Sequence, residues 1–217
     1  MRGDKIPVKV LSVQYIPNAD PALLRNLKVG KTYTSLGIIT TDCDDVSYCA
    51  LDEATKKAEV RVAYARSLYA GSSNASTALA GEFIGILAGI NPEEVRSGIE
   101  AAIAYIEDGA AFSSANDDDS IVYYAQCISS TGSYLAREAR ISQGEALAYL
   151  IAPPCEGVRG LDAALKAADV ELKRFYGPPT ETNFCGGLLT GDQAACQAAC
   201  DAFGDAICRI ADNPLEA

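Results

Sequence analysis

The sequence predicts an α+β fold built as a tandem duplication of one small domain, and three observations carry that prediction. The stretch "DEATKKAEVRV", beginning at Asp52, has a near-copy in "DAALKAADVEL", beginning at Asp162. Further on, "AGEFIGILAGIN" matches "ETNFCGGLLTGD" without a gap, placing Phe83 on Phe184, Gly85 on Gly186, Leu87 on Leu188 and Asn91 on Asp192. Strand-like and helix-like runs also follow one another in the same order in both halves. Self-similarity at a period of about 105 residues is a domain duplication and not a solenoid repeat.

Each half opens on a strand, "VKVLSVQYI" in the first and "SIVYYAQCI" in the second. Next come "LGIITTDCDDV" and "AYLIAPPCEGV", each an apolar strand running into a turn that begins at Cys43 or Cys155. A short helix rich in Ala and Lys, opening at Asp52 or Asp162, then feeds an alternating strand at Val60–Val62 or Val170–Leu172. The loop that follows is "RSLYAGSSNASTAL" in the first half and "YGPPT" in the second. An apolar strand and a closing helix complete each copy.

The first closing helix has Asn91 as N-cap, Pro92 at its first position and Glu93 and Glu94 in its first turn. Its apolar stripe is Val95, Ile99, Ala102, Ile103 and Ile106. The second repeats the stripe as Cys196, Cys200, Phe203, Ile207 and Ile210, and its start is capped either by Asp192 or by a Thr190–Gln193 capping box. Cys196 and Cys200 have the spacing of a metal pair, but their match to Val95 and Ile99 assigns them to the core, where free cysteine acts as a small hydrophobe. Between the halves, "SSANDDDS" at 113–120 has the composition of a linker, so the chain divides into domains 1–112 and 113–217.

Composition narrows the function. Hydrophobic content of 49% with 22% charged residues is that of a globular protein. A net charge of −11 argues against a nucleic-acid surface and favours attraction of cations. Apolar runs such as "LAYLIAPP" are too short to span a bilayer, and "MRGDKIPVKV" lacks the apolar core of a signal peptide, so no membrane partner and a cytosolic location are expected. The eight cysteines are then expected to stay reduced. With no histidine, a Ser/His/Asp or Cys/His machinery is impossible, and no P-loop or dinucleotide pattern is present, so no enzyme is expected.

The strongest polar feature is "TTDCDDVSY", where Asp42, Asp44 and Asp45 follow a buried strand. It reads as a binding feature, as a solvated acidic turn, or as a helix N-terminus favoured by negative charge. Glu82 opens an otherwise apolar strand, and "TETNF" at 180–184 places hydroxyl and amide groups after Pro178 and Pro179. Carboxylates without a base, nucleophile or cofactor motif point to binding and not to reaction.

The segments "SLGIITTDCDDVSYCALDEATKKAEV", "ARSLYAGSSNAS", "EDGAAFSSAND", "TGSYLAREA", "LAYLIAPPCE", "GLDAALKAADVEL", "PPTETNF" and "LLTGDQAACQAACDAF" together resemble the tandem-domain shell proteins of the ethanolamine-utilisation bacterial microcompartment. The resemblance runs over nearly the whole chain. It implies a circularly permuted pair of microcompartment shell domains, a homotrimer that tiles the microcompartment shell in the cytoplasm beside other shell proteins, a gated central pore, and smaller pores that bind ethanolamine. It further implies an ethanolamine site at Asp44, Asp45, Glu82, Phe112, Thr182, Asn183 and Phe184. No cofactor is required, although some relatives bind cobalamin. Relatives that take zinc use a histidine and a glutamate, which fall here on Gln126 and Glu156. Neutral glutamine is a poor zinc ligand, so Glu156 alone is left of that site. A tandem shell protein of another microcompartment and a soluble trimeric sensor of small cations are the alternatives.

Overall fold

The computed structural model describes residues 1–68, 79–178 and 180–215. In chain order the elements are β1 (Lys5–Pro7), β2 (Val10–Ile16), α1 (Pro21–Asn26), β3 (Ser35–Thr41), α2 (Asp44–Lys57), β4 (Val60–Ser67), β5 (Phe83–Gly89) and α3 (Pro92–Glu107). These are followed by β6 (Ala111–Ser114), β7 (Val122–Ile128), α4 (Ser133–Ala139), β8 (Ala146–Ala152), α5 (Pro154–Ala167), β9 (Glu171–Tyr176), β10 (Cys185–Gly191) and α6 (Gln193–Asp212).

The chain divides into two compact units. The first comprises Val8–Ala110 with Gly132–Leu135, and the second Met1–Pro7, Ala111–Thr131 and Ala136–Ala217. The expected division between 112 and 113 thus falls at Ala111, and the first seven residues join the second unit, where β1 pairs with β6.

The first unit carries an antiparallel sheet of order β2-β3-β5-β4, and the second carries β1-β6-β7-β8-β10-β9. Without β1 and β6 the two orders are the same, which is the duplication seen in three dimensions. In the first unit, α2 and α3 cover one sheet face and bury Val46, Leu51, Val95 and Ile99 on the side of Ile39, Phe83 and Leu87, while Leu36 packs on the other face with Ala19 and Ala88. In the second, α5 and α6 bury Leu161, Cys196, Cys200, Phe203 and Ile207 against Ala148, Leu150 and Leu189. Cys196 and Cys200 are therefore core residues, as their match to Val95 and Ile99 predicts.

Caps settle where the closing helices start. Asn91 accepts the Glu94 N–H at 2.8 Å, and Asp192 accepts the Ala195 N–H at 2.7 Å. The Thr190 hydroxyl donates to the Ala146 carbonyl at 2.9 Å, across the sheet, so Asp192 and not a capping box begins α6. Ile103 and Ile210 are only half-buried, at the margins of their stripes.

Three sequence expectations change. The helices at Asp52 and Asp162 are not short: α2 and α5 are 14 residues each and begin at Asp44 and Pro154. The segment 113–120 is not an open linker, because Ser113 and Ser114 lie in β6, Ser114 and Ala115 are fully buried, and the Ala115 N–H donates to Ile121 in a hairpin with β7. Cys43 and Cys155 are not equivalent. Cys43 is the N-cap of α2, whereas the N-cap of α5 is Pro153 and Cys155 is its second residue. The strand-to-helix connection is one residue shorter in the second copy, Pro153 alone against Asp42 and Cys43. Most of the long first-half loop, 69–78, and Pro179 in the second lie outside the described residues.

Candidate functional site

The acidic cluster of the first unit is built by the exit from β3. Thr41 ends that strand, and the Thr41 and Ser47 hydroxyls meet at 2.6 Å and converge on the Cys43 carbonyl at 2.8 and 2.7 Å. This knot fixes the first turn of α2. Asp44 and Asp45 occupy that turn, at the positive end of the helix dipole, and are both buried. The Asp44 carboxylate accepts the Asp45 N–H at 2.9 Å. Asp42 has a structural role, because its carboxylate accepts the Lys9 N–H at 2.7 Å and so holds the approach to β2.

Glu82 is delivered to the cluster by backbone geometry. Its N–H donates to the Thr41 carbonyl at 2.9 Å, and its carbonyl accepts the Leu68 N–H at 2.8 Å. The chain reaches this position through Gly81 at φ +62°, where a Cβ would lie 2.0 Å from the Thr41 carbonyl oxygen. Only glycine satisfies both demands.

Electrostatics confirm the crowding. Burial raises the Asp44 carboxyl above its ordinary value, against the opposing hydrogen bonds from the Ser67 side chain and the Asp45 amide. Glu82 is raised as well, first by burial and then by the charges of Asp44 and Asp42. Burial likewise pushes the Cys43 thiol up. The site therefore holds negative charge in poor solvation.

Two residues that sequence reasoning passed over complete this corner. The Tyr48 hydroxyl and Ser67 hydrogen-bond at 2.9 Å, and Ser67 in turn reaches Asp44. Burial, and then the neighbouring aspartates, push the Tyr48 phenol to about 12, so it stays a neutral donor. Its ring packs edge-on against Phe83 at 5.0 Å and stacks with Tyr134 at 6.1 Å. Tyr48 was within reach of sequence reasoning: once "DDVSY" is read as helix, it sits one turn from Asp44 on the same face. Ser67, at the end of β4, has no such signal.

The remaining candidates lie in the second unit. Phe112, in β6, is buried with its ring 5.4 Å from Tyr124 and 5.8 Å from Phe184. The "TETNF" loop is closed by Thr180, whose hydroxyl donates to the Phe184 carbonyl at 2.9 Å and accepts the Phe184 N–H at 3.0 Å. The Asn183 N–H donates to the Thr180 carbonyl at 3.0 Å, which turns Asn183 into the left-handed region at φ +63° and leaves its side chain exposed. Thr182 and Phe184 are half-buried. The structure thus gathers Asp44, Asp45 and Glu82 within the first unit, and Phe112 with Phe184 and its loop within the second.

Gln126, in β7, spends its amide on the Cys127 carbonyl at 3.2 Å, and Glu156 lies half-buried in the first turn of α5. Among the described residues no group of three or more His, Cys, Asp or Glu is placed to hold a metal ion. No helix of the described residues is long and apolar enough to cross a membrane.

Comparison with known proteins gives one consistent result. The family model of the BMC domain matches residues 35–116. The bacterial microcompartment shell protein EutL of Clostridium perfringens (strain 13 / Type A) is 62% identical over 215 residues, covering 99% of both chains. The EutL of Escherichia coli (strain K12) is 49% identical over 213 residues, covering 98% of this chain and 97% of that one. The crystal structure of ethanolamine utilization protein EutL from Leptotrichia buccalis C-1013-b superposes with a TM-score of 0.97 at 60% identity, over 100% of both chains. The crystal structure of a trimeric bacterial microcompartment shell protein PduB, at 22% identity and a TM-score of 0.76, shares the fold over 94% of this chain and 89% of that one.

Proposed function

Because the chain belongs to the EutL family of bacterial microcompartment shell proteins, we propose that it tiles the shell as a homotrimer whose subunits bind and pass ethanolamine. It is a structural shell protein of the ethanolamine-utilisation microcompartment, built from tandem permuted shell domains, and not an enzyme. The trimer, its gated central pore and the ethanolamine site are the proposal.

The observation that supports the ligand is the pairing of buried Asp44 with half-buried Glu82, both with raised pKa. Carboxylates held away from water are costly unless a cation offsets them. Ethanolamine is a small ammonium ion with one hydroxyl. In this reading Asp44, Asp45 and Glu82 of the first unit neutralise the ammonium. Phe112, Thr182, Asn183 and Phe184 of the second unit are carried over from the family resemblance alone, as a cation–π face worth about 0.5–2 kcal/mol and as hydrogen-bonding groups for the hydroxyl.

Calorimetric titration of ethanolamine into the wild type, Asp45→Asn and Glu82→Gln tests the site. Each variant should lose about 1–3 kcal/mol of binding while assembly is kept. Unchanged affinity in both would leave the cluster as a buried acidic helix start with no part in ligand binding. Electron microscopy tests the tile: sheets or incorporation into shells support it, and discrete particles under all conditions favour a soluble sensor. Cobalamin rests on the family resemblance alone, and equilibrium dialysis of the assembled protein checks it.

A further inference from the structure

The acidic cluster of the first unit is backed by hydroxyl groups that the second repeat lacks. Helices α2 and α5 are both 14 residues long, and each is followed by the same kind of bond, Val60 N–H to Ala58 O and Val170 N–H to Ala168 O. Strands β4 and β9 then each pass over one residue in their pairing, at Ala63 and at Lys173. The two copies therefore stay in step from the start of the helix to the end of the strand. On that match Asp44 and Asp45 fall on Pro154 and Cys155, Tyr48 on Val158, and Ser67 on Gly177. The copy with the carboxylates has the phenol and the serine hydroxyl. The copy without them has neither, although Asp52 recurs as Asp162.

Three segments of the first unit fix the phenol. Buried Asp52 accepts the Gly132 and Leu135 amides at 2.7 and 2.8 Å, and the Ser133 N–H donates to the Thr55 hydroxyl at 3.0 Å. These bonds pin the segment that lays the Tyr134 ring along Tyr48, with 18° between the two planes. Phe83, at the start of β5, meets the Tyr48 ring edge-on at 84°. Held by both rings, Tyr48 sets its hydroxyl against Ser67 at the end of β4, 2.9 Å away. Tyr48 and Asp44 are themselves one turn apart on α2.

The protons in this chain of hydroxyls run one way. A carboxylate only accepts, so the Ser67 hydroxyl donates to Asp44. That spends its one proton and leaves its oxygen to accept from Tyr48, whose phenol is pushed up to about 12 and stays protonated. A donor that itself accepts a hydrogen bond is polarised and donates more strongly. The chain works against the rest of the cluster, where every titratable neighbour is an acid. Asp45 and Tyr48 stand on α2, Asp42 and Cys43 in the turn before it, and Glu82 at the entry to β5. Burial raises the Asp44 carboxyl, and the Ser67 bond opposes that rise.

We propose that Tyr48 and Ser67 are positioning residues of the cation site, a directed donor relay that holds Asp44 ionised and aimed for an ammonium ligand, with Tyr134 as the ring that keeps the relay in place. This rests on the ethanolamine reading and deepens it, since cation affinity then depends on a phenol that acts through Ser67. The plain structural role of the pair, a tie between α2 and β4, makes a different forecast. A tie affects folding alike at every pH, whereas a relay matters most where Asp44 is close to taking up its proton.

Calorimetric titration of ethanolamine into the assembled full chain between pH 5 and pH 8, with melting temperatures alongside, tests the relay. Ser67→Ala should bind at least about five-fold more weakly than the wild type at pH 5 and within about two-fold of it at pH 8, where Asp44 ionises without help. Tyr48→Phe keeps both ring contacts and should shift binding in the same direction by about two- to three-fold at pH 5. The double variant should bind no more weakly than Ser67→Ala, because Tyr48 acts through Ser67. Where Ser67→Ala melts too low to titrate, the pH dependence of Tyr48→Phe decides. Losses of one size at every pH, wild-type affinity in the single variants, or losses that multiply in the double variant overturn the relay and leave the ethanolamine site standing. A wild type that takes up no ethanolamine at any pH overturns the site, and the relay with it.

Discussion

The carboxylate of Asp52 accepts the backbone N–H of Leu135 at 2.8 Å, joining positions 83 residues apart in the sequence. It accepts the Gly132 N–H as well, and all three groups are buried. Burial raises the Asp52 pKa, against the pull of those two amides. The contact anchors Gly132–Leu135 to α2 inside the first unit.

Asp52→Ala leaves two buried amides without an acceptor, and each unsatisfied group costs about 1–3 kcal/mol. The urea midpoint of unfolding should fall accordingly. Asp52→Asn keeps one good acceptor and should fall less. Equal midpoints for the wild type and Asp52→Ala would mean that the amides find water instead.

Gly81→Ala should destabilise by more than about 1 kcal/mol, because φ +62° is left-handed and the new Cβ would meet the Thr41 carbonyl at 2.0 Å. Relief of that clash displaces the neighbouring Glu82 backbone, so ethanolamine affinity should drop along with the melting temperature. A variant that loses stability but binds normally would show that Glu82 has no part in the site.

Asn183 separates a backbone role from a side-chain role. At φ +63°, Asn183→Gly keeps the turn without strain, whereas Asn183→Ala should cost about 1–2 kcal/mol in thermal denaturation. If the amide binds the ligand hydroxyl, Asn183→Gly should weaken ethanolamine binding with the melting temperature held. Full affinity in Asn183→Gly would confine Asn183 to the turn.

The duplication was legible because each repeat keeps its closing helix in step with its cap, Asn91 or Asp192, with the buried stripe following at the same spacing. In the strand before it the match slips by one, since Leu87 lies under α3 whereas Leu189, not Leu188, lies under α6. The cysteine stripe of α6 was legible for the same reason. The start of α2 was not, since "TTDCDDV" has turn composition and its helix is set by the Thr41–Ser47–Cys43 knot, a tertiary feature. Helices α1 and α4, at 6 and 7 residues, are too short to show a 3.6-residue period. Ser113 and Ser114 read as linker because pairing with β1 and β7, not their own propensity, makes them a strand. The carboxylates of the candidate site were visible as a composition, but Ser67, which bonds one of them, was brought in by the fold from a distant strand.

The raised pKa values of Asp44 and Glu82 give opposite signs for stability and for binding. A carboxyl whose pKa is raised in the folded chain binds its proton more tightly there than when unfolded. Its contribution to stability is therefore complete below the ordinary carboxylate value and is lost as pH rises through the raised one. At neutral pH the ionised pair burdens the ligand-free protein. Glu82→Gln removes one of these charges, so its melting temperature relative to the wild type should rise between pH 5 and pH 7. Cation affinity runs the other way: ethanolamine stays protonated over this range, and wild-type binding should weaken as pH falls toward the raised pKa values while Glu82→Gln shows a flatter dependence. Parallel pH profiles of the two proteins, in melting and in titration alike, would refute the desolvated carboxylate as the source of cation binding.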